Sequence, residues 1–292
     1  MSYICQCGFY WLYPHISVPM ERRSVCACHC HRHLFGFHVE EQSKTEFVLS
    51  QWTDRPILFA LYRSLVSLYT IGVVVYSAIN NEYGVKIFIW LTYWSYYILA
   101  TGFLIRALTV WLHVYGQKDK DRLRLPDRLL QLQWVLQTLT CAAAPIVSVL
   151  FWTVEYQGGG VDFKSANTHA INLTLVVVDL FISRYPIRIH HFYVSMCLFT
   201  TYSAFTAIYW STGGTNHLGR PYVYSVLNYS EDPGFAMIFV FSVTLAAAPF
   251  VHCLMYGLYR LRVALWNRCC GAGEAIPETL IALTTQSSAT DV

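Results

Sequence analysis

Residues 56–79, PILFALYRSLVSLYTIGVVVYSAI, hold a single charged side chain, and five further stretches share that character: 87–115, 129–153, 165–183, 190–211 and 235–258. A helix rises about 1.5 Å per residue, so roughly 20 apolar residues cross the hydrocarbon of a bilayer. No other feature constrains the fold as strongly. Inside hydrocarbon each backbone N–H and C=O must be satisfied within its own segment, and for isolated 20-residue runs that leaves the helix. The expected fold is an all-α integral membrane protein, a bundle of six transmembrane helices. Composition agrees: 13% of the 292 residues are charged, about half the share of a soluble domain.

The basic residues orient such a bundle. Arg22, Arg23, Arg32, Lys44, Arg55, the 118–128 loop, Arg184, Arg188, Arg260, Arg262 and Arg268 fall on one side, against Lys86, Lys164 and Arg220 on the other. Both termini are therefore expected in the cytosol, and the loops at 80–86, 154–164 and 212–234 outside or in a lumen. Residues 1–50 read as a Cys/His-rich cytosolic head with little packing of its own. Residues 51–263 read as the six-span domain, and 264–292 as a polar, disordered cytosolic tail. The membrane is the plasma membrane or the endoplasmic reticulum. A net charge of +3, with no basic stripe among aromatics, excludes nucleic acid as a partner; membrane lipids remain.

Polar residues inside the spans are expensive and mark the bundle interior or a function. His169 lies about four residues, or roughly 6 Å, inside the fourth span, and Asn172 follows at i+3 on the same face. Asp179 is roughly 15 Å deeper. In the second span Thr92 matches the depth of His169, and Arg106 approaches that of Asp179. Arg106 and Asp179 are expected to share a polar network, whereas Arg63 is expected to snorkel to the cytosolic interface. Thr92 taken alone reads as a threonine bonded to its own i−4 carbonyl.

Outside the spans, Cys26, His29, Cys30 and their neighbours at 25–33 cluster without the paired C-x-x-C spacing of a metal site, so no metal or cofactor is expected. Cys269 and Cys270, just past the last span, are palmitoylation candidates. Asn228-Tyr-Ser230 is a glycosylation sequon on the outer side. No inverted repeat or pair of broken spans points to a transporter.

The stretches SQWTDRPILFALYR (50–63), IWLTYWSYYI (89–98), VLFWTVEY (149–156), NTHAINLTLVVVDLFISRYPIRIHHFY (167–193) and IYWSTGGTNHLGRPYVYSVLNY (208–229) together resemble the rolling stone family. That resemblance, over about residues 45–262, implies a multi-pass membrane protein with a role in myoblast-type cell–cell fusion or membrane organisation. More remotely, Leu91-Thr92-Tyr93, Asn167, His169 and Asp179 resemble the androgen-induced family of intramembrane hydrolases. That likeness implies cleavage of fatty acid esters of hydroxy fatty acids by a Thr92 nucleophile and a His169 base. Asn172 is then a candidate to orient His169 or to bind the oxyanion. The acid at 179 departs from the glutamate usual in that family.

Overall fold

The computed structural model describes residues 36–39, 41–116, 125–156 and 158–270. Most of these residues are helical, and the described ones include one isolated antiparallel bridge, Ser50 to Ser183. Six long helices follow one another along the chain: α1 Pro56–Ile79, α2 Leu91–Gly116, α3 Asp127–Glu155, α4 Phe163–Ile182, α5 Phe192–Ser211 and α6 Pro233–Cys269. All but α5 are long and apolar enough to cross a membrane. Leu65, Leu68, Ile238 and Phe250 stand exposed on their flanks, a surface suited to hydrocarbon rather than water. The fifth stretch expected to span, α5, has the length, but Ser195, Thr200, Thr201, Ser203 and Thr206 dilute its apolar character. It packs against α3 and α6. At the opposite extreme α6 runs well past residue 258.

The central helix is α3, in contact with α2, α4, α5 and α6. Cys141, Ala142, Ala143 and Ala144 are all buried there; small side chains let neighbouring helix backbones approach closely. Three helices contain a widened π turn: Phe151–Glu155 in α3, Ala166–Ile171 in α4 and Ser242–Ala247 in α6. Such turns insert one extra residue per turn and shift the side-chain register beyond them.

Of the segment expected to form a separate head, residues 47–50 pack into the bundle. Phe47 and Val48 are buried in the main core. The cause lies at the end of α4, whose last carbonyls have no partner within the helix. Gln51 N–H donates to the Ile182 carbonyl at 2.7 Å, and Trp52 Nε1 to that of Phe181 at 2.7 Å. Gln133 Nε2 of α3 holds the Phe47 carbonyl at 2.9 Å. From α6, Arg262 donates to the carbonyls of Leu180, Ser183, Arg184 and Tyr185. A guanidinium at a helix C-terminus also meets the negative end of the helix dipole.

Candidate functional site

Two polar centres occupy opposite ends of the bundle. The basic end holds Asp179, fully buried. Arg106 Nη1 donates to its Oδ2 at 3.1 Å, and Arg63 Nη1 donates to its Oδ1. Tyr62 and Ser183 hydroxyls add bonds at 3.2 and 3.1 Å. The structure thus brings Arg106 and Asp179 together, but it corrects the expectation for Arg63. That side chain does not reach for the interface; it is as buried as its partner carboxylate and also bonds Ser183 Oγ at 2.6 Å. Arg63 sits seven residues into α1, about 10 Å of helix rise, close enough in depth to Asp179 to make pairing the cheaper choice. Both guanidinium groups lie over aromatic rings, Arg63 on Phe59 and Arg106 on Phe103 at 4.8 and 4.2 Å.

At the far end a cavity of about 600 Å³ opens between α2, α3, α4 and the loop before α6. The start of α2 fixes one wall. Trp90 is extended (ψ 126°) and separates the short 3-10 helix Gly84–Ile89 from α2. The Tyr202 hydroxyl of α5 bridges this break, accepting from Leu91 N–H at 3.1 Å and donating to the Ile89 carbonyl at 2.8 Å. Thr92, half-buried, therefore occupies the first turn and lines the cavity. Thr70, Thr138, Thr140, Thr153, Thr168 and Thr174 all bond their own i−4 carbonyls. Thr92 differs: it has no complete turn before it, and it lines the cavity together with Tyr224.

His169 forms the facing part of the wall. It lies in the π turn of α4, and its ring stacks on Phe151 in the π turn of α3, with centroids 3.6 Å apart and planes within 3°. The Ser148 hydroxyl pins its carbonyl. The ring's Nδ1 has no hydrogen-bond partner among the described residues. Thr92 and His169 share this cavity without a hydrogen bond between them.

Asn172 is not part of that wall. Its amide donates to Ser95 Oγ and to the Thr168 carbonyl, both at 3.2 Å. The expectation that it shares the His169 face assumed a regular helix, and the π turn ending at Ile171 breaks that register. At the cavity rim Asp162 caps α4 by accepting from Ser165 N–H at 2.9 Å. Burial alone would raise its carboxyl, but the Ser165 bonds and the nearby Lys164 ammonium hold it below the usual range.

A family model described as Protein rolling stone matches residues 26–274. The chain belongs to the rolling stone family. The curated rolling stone protein of Drosophila melanogaster is 28% identical over 235 residues, covering 76% of this chain and 84% of that protein. No solved structure matches. The residues that match the rolling stone model include the docked segment at 47–52.

The remaining expected sites are peripheral. Asn228 sits half-buried in a tight turn: its amide donates to Glu231 at 2.8 Å, and Ser230 Oγ of the sequon accepts from Trp210 Nε1 at 2.7 Å. Cys269 and Cys270 are exposed at the end of α6. The Cys/His cluster at 25–33 lies outside the described residues. Arg63, Arg262, Phe151 and Tyr224 are the residues sequence reasoning missed. Depth identifies Arg63, and the aromatic richness of the 212–232 loop points toward Tyr224. Nothing in the sequence marks the π turns that pair Phe151 with His169.

Proposed function

We propose that this rolling stone protein is a six-span membrane protein with both termini cytosolic, and that its far-end cavity hydrolyses a lipid ester. The single observation behind this reading is that Thr92 and His169, from two different helices, line one amphiphilic cavity. Thr92 Oγ attacks the ester carbonyl while His169 Nδ1 takes its proton; the alcohol then leaves with that proton, and water attacks the resulting acyl-threonine in the same way. Phe151 stacks on the ring, and Nδ1, without a partner among the described residues, is the nitrogen left to act as the base. Catalytic hydrogen bonds commonly close only when substrate is present, so the pair needs only to face one cavity beforehand. Fluorophosphonate labelling of the purified protein tests it. Wild type is expected to label, Thr92→Ala to lose labelling, and His169→Ala to slow it by about 100-fold or more. Labelling that survives both changes defeats the reading.

Family membership favours a second role, in cell–cell fusion or membrane organisation. A cell-mixing assay with Thr92→Ala relates the two. Loss of mixing makes hydrolysis the means, and mixing that persists while labelling is lost assigns that role to the folded bundle alone.

A further inference from the structure

The composition of the cavity wall identifies its ligand more closely. Three carboxylates line it, Glu82, Glu155 and Asp162, against one ammonium, Lys164. Two of these four are already committed. Asp162 caps α4, and Lys164 Nζ donates to the Asn80 carbonyl at 3.1 Å. Glu155 is different: its Oε1 is buried and has no hydrogen-bond partner among the described residues. A buried carboxylate oxygen without a donor is costly. The same cavity is lined by aromatic rings, with Trp90 and Tyr224 packed edge to face at 5.1 Å and Trp90 and His217 at 5.8 Å. His169, 7% exposed, places a second unpartnered acceptor, Nδ1, on the same wall.

Acid and aromatic faces together form the recognition chemistry of ammonium groups. Ring quadrupoles attract a cation, and a carboxylate completes its neutralisation. The apolar remainder of the wall, including Val147, Leu150 and Phe239, suits an acyl chain. We propose that the cavity selects an amphiphile carrying an ammonium head group, held between Glu155 and the Trp90–Tyr224 pair. This rests on the reading of the cavity as a lipid site, and it places the ligand's ester beside Thr92 and its charged head toward the end of α3.

Native mass spectrometry of the protein in maltoside micelles tests it. The probes are lysophosphatidylcholine, lysophosphatidylethanolamine and lysophosphatidylglycerol with the same acyl chain. Both ammonium lipids are expected to bind at least about tenfold more tightly than the glycerol-headed one, a difference within the range of a desolvated cation–π contact. A larger gain for choline assigns the selectivity to the rings, and one for ethanolamine to hydrogen bonding with Glu155. Glu155→Gln, nearly isosteric, is expected to bring the three lipids close to parity, and Trp90→Leu to weaken the choline lipid most. Equal binding of all three by wild type overturns the proposal, as does a preference that survives Glu155→Gln. Repeating the comparison in Thr92→Ala separates the two readings. Ammonium preference there without fluorophosphonate labelling of wild type removes the hydrolase alone, and labelling without preference removes only the ligand class.

Discussion

Asp179 at the basic end accepts hydrogen bonds from Arg63, Arg106, Tyr62 and Ser183. His169 at the far end keeps a buried ring nitrogen with no partner among the described residues, and so does one oxygen of Glu155. Both groups face the same problem of burial, yet at one centre the acceptor is saturated by the protein, with Arg63 Nε and Arg106 Nη2 left as unpaired donors, and the other centre opens to a cavity. A buried acceptor saturated by donors from other helices fixes those helices in register. One left unmatched beside open space is a place where a ligand supplies the donor.

That contrast can be broken most directly at Asp179. Asp179→Asn leaves two buried guanidinium groups facing a neutral amide and is expected to cost about 3–5 kcal/mol, read as thermal unfolding in micelles. The same assay on Thr92→Ala is expected to show less than about 1 kcal/mol, because a half-exposed cavity residue loses little packing. A loss of that smaller size at Asp179 would erase the distinction between the ends. A simple charge exchange, Arg106→Glu with Asp179→Arg, is not expected to restore stability, because Arg63 then meets a second guanidinium.

A smaller effect is expected from Arg262→Gln, which abandons carbonyls at the end of α4 and should cost about 2 kcal/mol. Hydrogen exchange should rise at residues 181–185 and 50–52 while the cavity wall stays protected; loosening of both ends together would mean that they are one cooperative unit. The smallest belongs to the far end. Asp162→Ala removes a helix cap worth about 1 kcal/mol. Because the folded carboxyl titrates below its ordinary value of 3.8, the wild-type advantage is present above that value and lost as pH falls through the folded one. A melting difference between Asp162→Ala and wild type that persists at lower pH would assign the effect to something other than the ionised cap.

Much of this was legible in the residues. Apolar runs located the long helices, and counting rise per residue put Arg106 and Asp179 at depths where their side chains do meet. Reading stopped where the helix ceased to be regular. A count of 100° per residue set Asn172 beside His169, and the π turn at Ala166–Ile171 moved Asn172 onto Ser95 instead. Arg63 was misplaced because a long basic side chain near a helix end has two solutions, and its match in depth to Asp179 is what separates them. Residues 47–49 are too few to register as a core element. Their burial depends on the unpaired carbonyls ending α4, a contact made from the opposite side of the fold.

The Arg63–Asp179 pair also bears on how the chain is made. The two residues are 116 positions apart, and at roughly 5–20 residues per second that interval lasts on the order of ten seconds. Throughout it the growing chain carries the Arg63 guanidinium without the carboxylate that it pairs with in the fold, so this contact forms only after α4 has been made.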